Sequence, residues 1–330
     1  MASFFKLAVV GSGGIARHHM KNILKMGTAH IVGLCDLDQA RAEACAREFG
    51  GKVFAGLSDM LDSQRPDGLL ICTPPFARID PIKAACDRKL PFFCEKPPAF
   101  SLEEAVAIQR LVGEARMVHS VGFMYRHKEI VDRARELLEG QTPVSVRSTF
   151  VNGPMLDPEF PAWFKLQERS GGPLLDQAIH FIDVLRYIFG DIDRVFAAGS
   201  NQAFPKAPDI TVNDSVNLLL QFRSGLSATH NHSWAANVPL LVIEVHCKSA
   251  RIRIDLKENV LSGVVRGMQV SFKPKDDCYV TELRRFFRAA SNNDPVPVRS
   301  SYADAVRSLA VCVAAQRSID TGLPEIVTTT

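Results

Sequence analysis

Several things are missing from this chain of 330 residues, and each absence removes a class of protein. None of its eight cysteines, at 35, 45, 72, 86, 94, 247, 278 and 312, belongs to a C-x-x-C pair. Most lie in apolar runs such as LLICTPP and PFFCEKP, which reads as reduced, buried thiols in a cytoplasmic protein rather than a disulfide framework. No long run of one charge occurs, and 39 basic against 36 acidic residues leave a formal net charge of +3. That balance carries no electrostatic footprint for nucleic acid or an anionic membrane, so neither is expected as a partner. The opening MASFFKLAVVGSGG is too short an apolar run to span a bilayer and has no basic leader region. It reads as a first strand. Internal repeats and low-complexity tracts are also missing. What remains is 46% hydrophobic and 23% charged, an ordinary composition for a globular enzyme with two cores acting on a small molecule.

Residues 5 to 121 alternate short apolar runs (KLAVVG, HIVGLCD, KVF, DGLLICT, PFFCEK, RMVHSVG) with amphipathic segments at 14–26, 38–49, 76–88 and 101–114. Runs that are apolar on both faces and separated by helices predict a doubly wound parallel sheet in an α/β fold, with the domain ending near residue 122. Ser101 and Glu104 in SLEE form a capping box at one helix start. After a helix near 127–139 the pattern changes to longer alternating segments: VSVRSTFV, DSVNLLLQF, LSATHNHSW, LLVIEVHC and RIRIDL. These predict an antiparallel sheet within a second domain, 123–330, joined by helices at 174–189, 279–291 and 302–320.

VVGSGGIA places Gly11, Gly13 and Ala16 in a G-x-G-x-x-A turn between the first strand and the first helix. The first glycine permits the tight turn, the second admits a pyrophosphate to the backbone, and the small third residue lets helix and strand pack closely. Gly14 and Ile15 begin the helix, whose N–H groups and dipole favour phosphate. Asp36 ends the second strand, twenty residues past Ala16, where a carboxylate accepts ribose hydroxyls and repels a 2′-phosphate. NAD is therefore favoured, with NADP as the alternative through Arg41. Thr73 and Pro74 follow the fourth strand and are expected beside the nicotinamide half.

Two further stretches invite chemistry. PFFCEKPPAF ends the fifth strand with Glu95 and Lys96; a lysine at that edge can neutralise an oxyanion, and as residues alone the two serve equally as a surface ion pair. GGPLLDQAIHFID carries Asp176, His180 and Asp183 at helical spacing. As residues alone, that stripe is a solvated face, a metal site or an acid-base pair. Asp183 either pairs locally with Arg186 or serves the substrate. His230 and His232 in THNHSW share one strand face, as sheet residues or as a zinc pair. His18 and His19 read as local helix residues.

The glycine turn with Asp36, the TPP turn, EKP and GG-x-L-x-D-x-x-x-H-x-x-D occur in the order and spacing of the Gfo/Idh/MocA oxidoreductases, and the chain resembles that family over nearly its whole length. The resemblance implies a Rossmann domain followed by an α/β domain on a large, mostly antiparallel open sheet, with substrate held between them. It also implies homodimers or homotetramers formed through that sheet. It assigns Lys96 to the substrate site and to the cofactor's neighbourhood along with Glu95, and it places Pro97 in a sharp turn. His180 becomes the proton acceptor, with Asp176 beside it. The implied substrate is a sugar, inositol or related polyol, and Tyr125 and Arg126 match a family segment near it. Trp163, in the loop before the histidine's helix, offers a face on which a sugar can stack; for these residues a structural role and a binding role stand side by side. With one imidazole and no cysteine among Asp176, His180 and Asp183, no metal is expected. Non-catalytic NAD-binding sensors and enzymes that use NAD transiently in epimerisation or glycoside cleavage are the alternatives. The histidine many relatives carry beyond the TP turn is replaced here by FARID, with Arg78.

Overall fold

In the computed structural model, which describes residues 4–329, the six apolar runs become β1 (Phe5–Val10), β2 (Ala29–Cys35), β3 (Lys52–Phe54), β4 (Gly68–Ile71), β5 (Phe92–Glu95) and β6 (His119–Gly122). They form one parallel sheet in the order β3-β2-β1-β4-β5-β6. Every residue of β4 and β5 is buried, because helices cover both faces. Those helices are α1 (Gly14–Met26), α2 (Gln39–Phe49), α3 (Leu57–Gln64), α4 (Ile79–Asp87) and α5 (Leu102–Ala115). The order reverses between β1 and β4, so the turns leaving their carboxyl ends border the crevice where ligands bind in such sheets. At α5 the Ser101 hydroxyl accepts the Glu104 N–H at 3.1 Å, but the Glu104 carboxylate reaches back to Phe100 rather than to Ser101, at 3.3 Å. The helix α3 was not foreseen; LSDMLDSQ buries only Met60 and Leu61, too few apolar positions to establish a period.

The later part of the chain contains α6 (Glu129–Leu138), β7 (Pro143–Val151), the single turn α7 (Gln167–Ser170), α8 (Ile179–Phe189) and β8 (Ile192–Ser200). There follow β9 (Ser215–Phe222), β10 (Ser227–Ser233), β11 (Leu240–Cys247), β12 (Ala250–Asp255), β13 (Val260–Val265), β14 (Met268–Phe272), α9 (Cys278–Asn292), α10 (Tyr302–Thr321) and β15 (Glu325–Ile326). A second sheet runs β14-β13-β12-β11-β7-β10-β9-β8-β15, antiparallel except where β10 pairs with β7. Along β9 and β10 every second residue is buried, the period-2 pattern of a sheet covered on one face.

Two expectations need correction. The helix expected at 174–189 is not regular: Leu174–Ala178 winds as a π-turn, with the Ile179 N–H donating to the Leu174 carbonyl, and the α-helix begins only at Ile179. Such an inserted turn leaves the hydrophobic spacing almost unchanged and so is hidden from periodicity. The second correction concerns the domains. One unit comprises Met1–Met124 with Asp277–Val306, the other Tyr125–Asp276 with Arg307–Thr330. Residues 277–306 thus join the first unit rather than the domain 123–330. The reason is apolar: Leu283, Phe286, Phe287 and Ala289 of α9 belong to the same core as Phe5, Leu7 and Phe93. Phe287 meets Phe5 at 4.9 Å between ring centroids and Phe286 meets Phe93 at 5.8 Å. A helical stripe declares that a face is buried, not what it is buried against. Among the described residues, no helix is long and apolar enough to cross a membrane.

Candidate active site

Gly11 sits at φ +85°, and a β-carbon there would lie 2.8 Å from the Cys72 backbone, so only glycine lets β1 turn this close to the exit of β4. Gly13 caps α1 without any side-chain hydrogen bond, and a β-carbon at Gly13 or Gly14 would meet nothing within 4 Å. Beneath, Ala16 is fully buried and Ile15 packs on the core. The turn therefore presents open space and an uncapped helix start, with no acidic residue in the first turn of α1, which suits a bound phosphate. The buried Ser12 hydroxyl has no protein partner among the described residues. Asp36 is held in register by two backbone bonds, from Ser12 N–H at 2.6 Å and Asp38 N–H at 2.9 Å. A carboxylate has about four acceptor positions, so capacity for ribose hydroxyls remains. These features fit the adenosine and pyrophosphate parts of NAD. Arg41, the alternative contact for a 2′-phosphate, pairs with Asp38 at 3.1 Å on the surface.

The other two turns are held from behind. Thr73 leaves β4 with its hydroxyl on the Ala77 carbonyl at 2.8 Å, and Pro74 precedes a short 3-10 turn, Pro75–Ala77. Glu95, expected among the cofactor contacts, is instead 3% exposed and committed inward. One carboxylate oxygen lies 2.6 Å from His19 Nε2, and the other accepts the Lys96 N–H at 3.1 Å. Burial works to raise the Glu95 carboxyl, but the hydrogen bond and charge of His19, with Lys96 and Arg78 beyond, outweigh it and hold the group below its usual range. His19 is therefore not a merely local helix residue. Its burial shares the spacing of Ala16 and Ile23, a signal that was available in the sequence. His18, by contrast, is exposed, edge-on to Tyr279 at 4.5 Å, and partial burial with the neighbouring His19 lowers its pKa. Arg78 is buried and donates to the carbonyls of both Thr73 and Lys96. The Lys96–Pro97 peptide is cis.

The second unit carries the remaining candidates. His180 lies in the first turn of α8, 7% exposed, with the Tyr125 ring edge-on at 5.5 Å. Asp176 sits in the π-turn and is partly exposed. Trp163 is half-buried in a 3-10 turn, Ala162–Lys165, stacked on Phe164 at 3.8 Å. Arg126 was expected to touch substrate, but its fork is engaged by Asp183 through two bonds of 2.6 Å and is 3% exposed. His230 and His232 do share one face of β10, their rings 5.9 Å apart, but both are enclosed as sheet residues. His230 is bonded to the Ser148 hydroxyl at 2.9 Å and stacked on Phe181.

Residues 5–123 match the model described as "Oxidoreductase family, NAD-binding Rossmann fold", and residues 131–253 match the "GFO/IDH/MocA C-terminal domain". Glucose-6-phosphate 3-dehydrogenase of Bacillus subtilis is 30% identical over 56% of this chain, a match that spans 53% of that protein. Myo-inositol 2-dehydrogenase of Thermotoga maritima is 26% identical over 96% of each chain. A levoglucosan dehydrogenase solved in complex with NADH shares the fold, with a TM-score of 0.90 at 21% identity over 99% of this chain and 100% of that one.

Proposed function

Because the chain belongs to the Gfo/Idh/MocA family of NAD(P)-dependent oxidoreductases acting on CH–OH groups, we propose that its substrate is a sugar, an inositol or a related polyol, oxidised at a carbinol or reduced at the corresponding carbonyl. The bound nicotinamide supplies the hydride chemistry. The protein supplies orientation and proton transfer. His180 accepts the carbinol proton, its ring restrained by Tyr125, and Lys96 stabilises the charge that develops on the oxygen. Asp176 accepts a hydrogen bond from a substrate hydroxyl, and the exposed part of Trp163 offers a flat apolar surface to a sugar ring. Arg126 is left out of this reading, since Asp183 already occupies its fork. NAD is preferred to NADP because of the fixed carboxylate of Asp36.

The observation that carries the reading is the position of Lys96 at the carboxyl end of β5, beside the β4 strand whose own exit touches the glycine turn. Inositol and sugar dehydrogenases among the relatives support the substrate class. The free state of all eight cysteines supports a reducing compartment, the cytoplasm. Self-association through the second sheet is supported by Phe196 and Leu219, paired across strands β8 and β9 and 40% and 50% exposed. Light scattering of the purified protein reads the oligomer. Incubating the protein with NAD and a panel of sugars and inositols, with absorbance of the reduced cofactor as readout, tests the activity. Tight NAD binding with no reduction on any member would overturn the dehydrogenase reading.

A further inference from the structure

Nothing in the run FARID marks Arg78 as special, yet its side chain is among the most buried charges in the chain, at 3% exposure. Its Nε and Nη2 donate to the Thr73 carbonyl at 3.2 and 3.1 Å, and Nη2 also donates to the Lys96 carbonyl at 2.9 Å. One planar fork therefore bridges the turn that leaves β4 and the turn that leaves β5. On the other side of the same lysine, Glu95 accepts the Lys96 N–H, and His19 holds Glu95 in place. Both peptide groups flanking the Lys96 α-carbon are gripped by buried ionic side chains.

Burying a guanidinium costs desolvation, and a charged donor forms hydrogen bonds roughly twice as strong as a neutral one. Its rigid fork fixes direction as well as distance, which a lysine ammonium on a flexible stem does not. Neutral loop packing would achieve compactness without this charge. What the charge adds is a fixed orientation of two carbonyls, and with it a fixed origin for the Lys96 side chain.

We propose that Arg78 is a positioning residue for Lys96: by tying the Lys96 carbonyl to the Thr73 carbonyl, it makes the exits of β4 and β5 a single rigid piece from which the lysine reaches the reacting oxygen. This rests on the role given to Lys96 above. Misplacement of a catalytic group by about 1 Å costs on the order of a hundredfold in rate, and that sets the scale of the effect.

The test uses the full chain with NAD and whichever substrate the panel identifies. Arg78→Ala loses kcat on the order of a hundredfold while KM and NAD affinity stay near wild type. Arg78→Lys keeps the charge but not the fork, and it fails to recover the rate. Free guanidinium ion added to Arg78→Ala restores part of the turnover. In parallel, NMR of isotope-labelled dimethyl-lysines, with the Lys96 signal assigned by its loss in Lys96→Arg, shows that signal displaced in Arg78→Ala. Wild-type kcat in folded Arg78→Ala overturns the proposal. So does a loss of turnover that tracks loss of NAD affinity and melting temperature without rescue, because that is a packing role. If Arg78→Ala does not fold, Arg78→Lys carries the same readouts. Full turnover in Lys96→Ala would bring down the catalytic reading alone. In that case an unmoved Lys96 signal in the Arg78 variants is what overturns the positioning role.

Discussion

Arg126 and Asp183 meet through two hydrogen bonds of 2.6 Å, Nε to Oδ2 and Nη2 to Oδ1, with 3% and 1% of their side chains exposed. The network extends further. Ser308 donates to Asp183 at 2.8 Å and accepts from Arg186 at 2.7 Å, and Arg186 reaches Asp191 at 2.6 Å. The residue three positions after His180 is thereby anchored both to the segment that carries Tyr125 and to α10.

Removing one partner of such a pair strands the other charge in the interior. Arg126→Ala and Asp183→Ala should each lower stability by about 3–5 kcal/mol, whereas an apolar double replacement such as Arg126→Met with Asp183→Leu should recover much of that loss. Urea unfolding of the four proteins reads this directly, and single variants as stable as wild type would show that the pair contributes nothing.

His180→Ala and Lys96→Ala should each lose turnover by a factor of about a hundred to ten thousand, the usual range for a positioned proton acceptor or an oxyanion partner. Both should still bind NAD, because the glycine turn and Asp36 are untouched. Nucleotide titration followed by fluorescence separates the two effects, and near-normal turnover would remove that residue from the mechanism.

Cofactor choice should follow Asp36. Replacing it with serine removes hydrogen bonds to a charged acceptor, each worth about 1.5–3 kcal/mol, so kcat/KM for NAD should fall at least about tenfold. The same change removes the repulsion of a 2′-phosphate, and kcat/KM for NADP should rise. An unchanged ratio of the two values would mean that Asp36 does not select the nucleotide.

Acid should weaken the second unit through two buried histidines. Burial lowers His230 to about 3, and burial together with His230 lowers His232 well below its usual value. Both are neutral in the native state, so the stability they contribute is whole above the unfolded pKa of about 6.5. Below that pH the unfolded chain takes up protons that the native chain refuses, and each histidine removes about 1.4 kcal/mol per pH unit until its native pKa is reached. Urea midpoints between about pH 6 and 5 should fall less steeply in His232→Phe than in wild type. Equal slopes would show that His232 is protonated in the native protein. Glu95 and Asp191, whose pKa values are lowered, add their own acid dependence as the pH falls below their unfolded values of about 4, and it ends once their native pKa values are passed.

Legibility in the sequence followed the range of the interaction. The glycine turn, the Ser101 cap and the strands β1, β4 and β5 were readable because their causes are local: a backbone φ that needs glycine, a hydroxyl three residues from an N–H, a run apolar on both faces. The two-residue period of β9 and β10 was equally local. EKP and the Asp176–His180 stretch were readable only as a resemblance, since composition and spacing alone left surface, metal and acid-base readings open.

By itself the sequence determined the class of sheet, the cofactor turn and the positions able to carry acid-base chemistry, because period and turn chemistry act over a few residues. Tertiary structure alone decided that α9 packs with the first unit, that Leu174–Ala178 inserts a π-turn, that Glu95 faces His19, and that Arg126 belongs to Asp183 and Arg78 to Lys96. The three partnered pairs, Glu95 with His19, Arg126 with Asp183 and Arg78 with Lys96, lie 76, 57 and 18 positions apart in the chain. A charge written in sequence names what it can bind, and only the fold that excludes water from it names which partner it must have.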